Sequence, residues 1–291
     1  PGDALGHPQA LWQLVHSEFW ERFAYYGMRA LLAVYVASTF FGMLPEGEAK
    51  AEAALTYGAY TALIYATGIF GGFIADRYIG YRRAIVIGGL LMAAGLFLLL
   101  IKDLRWFLLG LSLLVVGNGL FKPNISTMVG QLYAQGDSRR DRGFTIFYMG
   151  INAGALVAPI LTGWLASVIT DTPMEQNYKV VFAATGVGMI ISFLWFWFGR
   201  AQLKGIGEPP ADRNGKTSLM WVILGCVVAV PLVYLLIAKV GASVLAWVLG
   251  ALFIGLAVML LAEAVRGGGV ARDKVIAMLI IFVFNVLFWM F

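Results

Sequence analysis

Four ionisable residues stand where an apolar helix should have none. The stretch 18–27 reads EFWERFAYYG, inside an apolar segment spanning about residues 11–42. It carries Glu18, Glu21 and Arg22, with Arg29 just beyond. At ~100° per residue, with Glu18 at about 0°, Glu21 falls near ~300°, Arg22 near ~40°, Tyr25 near ~340° and Arg29 near ~20°. All the charges share one face; Trp20, Phe23, Ala24 and Leu31 take the other. A lone charge at the centre of a bilayer costs about 2.5–3.5 kcal/mol even on the lenient insertion scale, so these groups must pair with one another or line a wet cavity. A cationic fork beside carboxylates at that depth suits proton exchange and capture of a carboxylate.

Taken alone, the segment also fits a soluble amphipathic helix or one lying flat on a membrane. Composition removes both. The chain of 291 residues is 60% hydrophobic and 13% charged, about half the charge of an ordinary soluble domain. Lipid must therefore be the solvent. The single cysteine, Cys226, excludes an internal disulfide and is expected to be a small buried hydrophobe.

Apolar runs of spanning length fall at about 11–42, 51–75, 84–101, 106–132, 144–170, 178–199, 219–238 and 243–262, and a ninth begins near 275. Alternate loops collect thirteen of the 21 Lys and Arg, around Arg77, Arg82 and Arg83, around Arg139, Arg140 and Arg142, around Arg200, Lys204, Arg213 and Lys216, and around Arg266, Arg272 and Lys274. The opposite loops hold five, Lys50, Lys102, Arg105, Lys179 and Lys239, and Arg22, Arg29 and Lys122 are placed inside the membrane. Short cytoplasmic loops concentrate Lys and Arg, which sets the N-terminus in the cytoplasm. The net charge of +5 is then a topology signal and calls for no nucleic acid. The expected division is a six-helix bundle over 1–200, a Gly- and Pro-bearing cytoplasmic linker over 201–217, two accessory transmembrane helices over 218–266, and the start of a seventh core helix over 267–291. The accessory pair holds almost no internal polar group and is expected to face lipid.

Three further motifs accompany the first. The second run ends in Gly72, Asp76, Arg77, Gly80, Arg82 and Arg83 on a short turn. Gly72 is expected to allow close helix approach, Gly80 a tight turn, and Asp76 to receive arginines or cap a helix. The fourth run holds Asn118 and, one turn later on the same face, Lys122 followed by Pro123. A lysine at that position either snorkels to the surface or faces a cavity opened where Pro123 interrupts the helix. The fifth run puts Tyr148, Asn152, Ala155 and Pro159 on one face, with Asn152 either contacting a ligand or joining two helices.

The turn pattern resembles the signature loop of the major facilitator superfamily. The first-helix motif, the run Phe147, Tyr148, Ile151, Asn152 and Gly154, and Lys122 before Pro123 and Asn124 together resemble the proton-coupled oligopeptide transporter family over about residues 11–200. The linker and extra helix pair resemble its bacterial members. The resemblance implies an all-α integral membrane protein: the six-helix N-terminal bundle of the superfamily, an accessory hairpin and the start of a C-terminal bundle. It implies roles in proton coupling for Glu18, Glu21, Arg22 and Lys122, and peptide contacts for Arg29, Tyr25, Tyr26, Tyr65 and Asn152. Phe288 and Trp289 resemble the start of the family's seventh-helix motif, whose acidic residue would lie beyond Phe291, so a second bundle is expected there. One departure is Gly58, which stands where animal relatives carry a functional histidine; His7 and His16 lie at or before the start of the first helix.

Charge counting points to the same substrate class. Two carboxylates against Arg22, Arg29 and Lys122 leave one cation unmatched, and an incoming carboxylate would match it. Protonating one glutamate frees a second cation, so proton and carboxylate binding become linked. The expected activity is proton-driven import of di- and tripeptides across a bacterial cytoplasmic membrane by a monomer, with protons as coupling ion and no other cofactor. Uptake of another anion such as nitrate is the related alternative. An integral-membrane enzyme is a distant one, since the sequence shows no metal-ligand set, no Ser-His-Asp arrangement and no phosphate loop.

Overall fold

The computed structural model describes residues 3–169, 174–210, 215–239 and 242–290. Arg213 of the linker, residues 240 and 241 of the turn in the accessory pair, and Phe291 lie outside them, as do the side chains of Lys216 and Trp289. Nine α-helices follow a short hairpin among these residues: α1 (Gln9–Phe40), α2 (Glu46–Ile74), α3 (Tyr81–Leu98), α4 (Leu104–Gln131), α5 (Arg140–Ile169), α6 (Met174–Gly199), α7 (Gly215–Lys239), α8 (Ala242–Arg266) and α9 (Gly269–Met290). Six of them are long and apolar enough to cross a membrane. The segment forming α1 is not in that set, because its ions and tyrosines offset its aliphatic residues. The chain is an integral multi-pass membrane protein.

Residues up to 239 form one compact unit and α8 with α9 another, in which the two helices pack on each other. In the first unit α1 is central: it packs along α5 and α6 and also meets α2 and α4, while α3 packs against α4 and α6. Short side chains allow this. A Cβ on Gly27 of α1 would lie 2.7 Å from Thr185 Cγ2 of α6. In α4, Asp103 caps the first turn by accepting from the Arg105 amide at 2.8 Å, satisfying a donor that the helix start leaves open.

Chain starts and ends differ from the apolar runs by a few residues, because polar first turns such as Glu46 to Glu48 in α2 are helical without being apolar. The N-terminus is clasped rather than loose. Strand β1 (Asp3–Ala4) pairs antiparallel with β2 (His7–Pro8). The hairpin is held by Trp12 Nε1 donating to the Ala4 carbonyl at 2.9 Å, by Arg139 Nη1 to Asp3 at 2.7 Å, and by the His7 ring against Tyr133 Oη at 2.8 Å.

Two expectations change here. Helix α7 does not simply face lipid. Val222 packs with Ala75, Ile79, Ala84 and Leu120, and Leu219 and Cys226 close over the same cluster, while Trp221, Val227 and Val228 point outward. The polar linker, too, is folded over its first half. A 3₁₀ turn (Arg200–Leu203) is followed by positive φ at Lys204, Gly205 and Gly207. Leu203 is fully buried, and Arg82 donates from its amide to the Gly207 carbonyl at 2.9 Å and from Nε to the Ile206 carbonyl at 2.6 Å.

Candidate functional site

The centre of the site is a buried trio on α1. Glu18, Glu21 and Arg22 are each no more than 1% exposed. Arg22 grips Glu21 with two parallel bonds, Nε to Oε2 and Nη2 to Oε1, the second at 2.6 Å. Glu18 Oε1 lies 3.2 Å from Arg22 Nε, but that N–H is already aimed at Glu21, and neither Glu18 oxygen accepts a hydrogen bond from the described residues. One guanidinium thus serves two carboxylates. From α4, Asn118 Nδ2 donates to Glu21 Oε1 at 3.2 Å. Helix α5 approaches α1 closely at this level: a Cβ on Gly154 would overlap the Phe19 carbonyl and lie 3.1 Å from Arg22 Cβ.

The next layer is aromatic. The Tyr25 ring, 5% exposed, lies between two guanidiniums, with Arg22 Cζ 5.1 Å and Arg29 Cζ 5.9 Å from its centroid. The negative face of the ring attracts a guanidinium. Arg29 is half-buried, donates from Nε to Tyr57 Oη, and holds Cζ 5.6 Å from the Tyr57 centroid. No carboxylate lies within 4 Å of Arg29 among the described residues, so its terminal nitrogens keep their donors. Tyr26 packs edge-on against Tyr25 at 5.2 Å.

Lys122 is half-buried, and its ammonium lies 5.4 Å from the Tyr65 centroid. It makes no ion pair within 4 Å among the described residues. Asn118, one turn before Lys122 on α4, is the α4 side chain that bonds to Glu21 among the described residues. Tyr65, at 61% exposed, and Asn152, also exposed, touch no member of the trio through any polar contact among the described residues. Sequence reasoning placed Asn118 on the lysine's face but missed Tyr57 altogether. Its spacing of eight from Tyr65 on the same helix was the available signal.

The signature turn is built differently from expectation. Gly71, not Gly72, is where α2 meets α4: a Cβ there would overlap the Gly119 carbonyl, whereas one on Gly72 would make only an ordinary 3.9 Å contact with Pro123. One residue is ~100° of rotation, enough to turn a small face away from its neighbour. Gly80 makes the turn with φ 75°, and a Cβ there would lie 2.6 Å from Glu208 and Pro209 backbone atoms. Asp76 is bonded to a tyrosine here, and caps no helix among the described residues. It sits in a π-helical turn (Ala75–Ile79) and accepts from Tyr81 Oη. Arg77 stacks on Phe73 at 5.7 Å, and Arg82 holds the linker, including Glu208 at 3.3 Å. Among the described residues no group of three His, Cys, Asp or Glu is arranged to hold a metal.

A helical membrane bundle with a buried, incompletely neutralised ion cluster at its core and a Gly-Asp-Arg turn between its second and third helices has the architecture of the major facilitator superfamily. The sequence profile of the POT family matches residues 82–291, and the chain belongs to that family. It is 38% identical over 240 residues to the "Di-/tripeptide transporter" of Lactococcus lactis subsp. lactis (strain IL1403), covering 79% of this chain and 47% of the relative. It is 30% identical over 290 residues to "Dipeptide and tripeptide permease A" of Yersinia pestis, covering 99% and 55%. Among solved structures, a peptide transporter POT in complex with alafosfalin superposes with a TM-score of 0.74 at 34% identity, covering 99% of this chain and 59% of that one. A POT family transporter in complex with 5-aminolevulinic acid gives a TM-score of 0.76 at 31% identity, covering 98% and 59%. The chain spans about half the length of the curated relatives it matches.

Proposed function

We propose that this chain forms the first bundle of a proton-coupled symporter that imports di- and tripeptides across a bacterial cytoplasmic membrane, with its N-terminus in the cytoplasm. The proposed division keeps residues 1–200 as the bundle, 201–217 as linker, 218–266 as the accessory pair and 267–291 as the opening of a second bundle that completes a monomeric transporter. Facilitator-type transporters bind substrate between two such halves.

The observation that carries the reading is the sharing of Arg22 between two buried carboxylates, with Arg29 one layer away and unmatched. The trio with both carboxylates ionised has a surplus negative charge out of water, which must be neutralised by a proton or by a cation. A proton on Glu18 satisfies it, and so does Lys122 swinging from Tyr65. Those two solutions exchange a proton for a lysine, and Lys122 pairing with Glu18 or Glu21 in one state is the coupling step we assign to it. Arg29 offers a planar pair of donors to the peptide's terminal carboxylate. Tyr25 and Tyr57 hold its guanidinium in place, Tyr26 and Tyr65 wall the pocket, and Asn152 bonds peptide polar groups. The signature turn, with Gly72, Asp76, Arg77, Gly80, Arg82 and Arg83, acts as the structural hinge at the other end of α2.

A double cycle in the complete transporter tests the assignment. Amidating the C-terminus of a dipeptide should weaken competition for uptake in wild type and weaken it little further in Arg29→Ala. Penalties that simply add would show that Arg29 is not the carboxylate's partner.

A further inference from the structure

Helix α4 contains Pro123 directly after Lys122, and α2 is fastened to α4 at that point. Proline has no N–H to give the carbonyl four residues back, so the Gly119 carbonyl loses its donor within the helix. Gly71 of α2 lies against that carbonyl: a Cβ on Gly71 would overlap it, and a Cα–H takes the place instead. Such a hydrogen is only a weak donor. Stronger bonds flank it. Asn124, 1% exposed, donates from Nδ2 to the Leu120 carbonyl of its own helix at 2.7 Å and to the Gly71 carbonyl of α2 at 3.2 Å; a side-chain amide has two N–H groups and can serve both. One turn earlier on α2, the Thr67 hydroxyl lies 3.0 Å from the Val115 carbonyl of α4, and shares its donor with the Leu63 and Ile64 carbonyls of its own helix. A Cβ on Gly119 would lie 2.8 Å from Thr67 Cβ. The two backbones therefore touch over a full turn, with side-chain bonds at both ends of the contact.

Beyond Pro123, α4 carries its own source of bending. Ser126 and Thr127 donate to the Lys122 and Pro123 carbonyls at 3.2 and 2.9 Å, a back-bonding pattern that loosens and often bends a helix. A helix weakened around Lys122 does not by itself fix where the ammonium lies. The contact with α2 does. The Tyr65 ring, 5.4 Å from the ammonium, belongs to α2, so the bonds that join α2 to α4 also set Lys122 against Tyr65.

We infer that Asn124 is a positioning residue for Lys122: together with Thr67 it latches α4 to α2 across the Pro123 break and holds the lysine over Tyr65, the place from which it serves the ion cluster. The inference rests on the coupling role proposed above for Lys122. With the latch removed, α4 turns about the break, Lys122 leaves Tyr65, and proton movement separates from peptide movement. A purely packing role predicts instead that every activity falls in proportion.

Two readouts on the complete transporter test this. The first is alkylation of Lys122→Cys by a water-soluble maleimide, in protein otherwise free of cysteine. Adding Asn124→Leu, which keeps the size and removes the donors, should raise the rate about fivefold, the value of one neutral hydrogen bond. Thr67→Val, which replaces only the hydroxyl, should also raise it, and Thr67→Ser, which keeps the donor, should leave it at the parent rate; this pair decides the matter where Asn124→Leu fails to fold. The second readout is uptake of labelled dialanine in proteoliposomes, with Lys122 in place. Asn124→Leu should lower gradient-driven uptake about fivefold while counterflow keeps its wild-type KM. An unchanged alkylation rate overturns the inference, and so does driven uptake that stays intact or falls only in step with counterflow. A wild-type protein that takes up no dialanine refutes the transport reading instead, a distinct result because alkylation is read without transport.

Discussion

Replacing Gly154 by alanine should separate the two central helices of the bundle. The added Cβ would lie 3.1 Å from Arg22 Cβ and 3.2 Å from the Phe23 nitrogen, and would overlap the Phe19 carbonyl. Carbon atoms prefer about 3.5–4.0 Å, and the Phe19 oxygen would be closer than either of those atoms, so α5 must retreat by roughly 1 Å, losing about half of the dispersion well for atoms along that contact. Overpacking of this kind costs about 1–3 kcal/mol. Alanine also recovers up to about 1 kcal/mol of helix propensity, which masks part of the loss. Gly163 provides the control on the same helix, because a Cβ there meets nothing within 4 Å. The difference between Gly154→Ala and Gly163→Ala therefore isolates the steric contribution, about 2 kcal/mol, or roughly 6 °C in Tm for a bundle of this size. Thermal unfolding in detergent, followed by intrinsic tryptophan fluorescence, measures it. Driven uptake should fall in Gly154→Ala as well, since the α5 packing that buries the ion cluster on α1 is loosened. Equal Tm values for the two variants would refute the close approach of α5 to the ion cluster.

Four further outcomes are expected. Lys122→Ala should abolish gradient-driven uptake while sparing counterflow, and unchanged driven uptake would remove Lys122 from the coupling step. Tyr57→Phe takes away the acceptor that orients Arg29 and should weaken dipeptide competition by roughly 5–10-fold, the value of one hydrogen bond to a charged group; loss of transport without loss of affinity would contradict it. Arg82→Ala removes the side-chain grip on the Ile206 carbonyl and Glu208, so amide exchange over residues 203–208 should quicken by about tenfold, and wild-type protection there would show that the linker needs no such anchor. Finally, the hydrogen bonds from the Arg139 side chain and amide hold Asp137 below the ordinary carboxylate range. A depressed carboxylate contributes stability above its unfolded pKa and loses it as pH falls through its folded one. Protection factors at the N-terminal hairpin, referred to intrinsic exchange at each pH, should therefore hold steady near neutrality and fall only in acid, and protection that is flat down to about pH 2 would exclude the clasp.

Much of this protein is legible from residue types alone. Lipid as solvent, nine apolar segments and one charged stripe follow from composition and a 3.6-residue period, because the bilayer leaves a spanning segment little choice but to be a helix. The mutual pairing of Glu18, Glu21 and Arg22 is local, one to four residues apart on one helix, so spacing alone foretells it. Which groups meet across helices is another matter. Asn118 meets Glu21, Tyr57 orients Arg29, and Gly71 rather than Gly72 meets Gly119. Each of these depends on how far one helix is turned and slid against another, and a single residue of slip changes the partner. The linker repeats the lesson: a Gly- and Pro-bearing polar stretch looks like a free tether, yet Leu203 is buried and Arg82 holds two of its carbonyls. Only the packing of helices against one another decides those contacts, because the groups concerned lie up to more than 120 residues apart along the chain and nothing local encodes their distance in space.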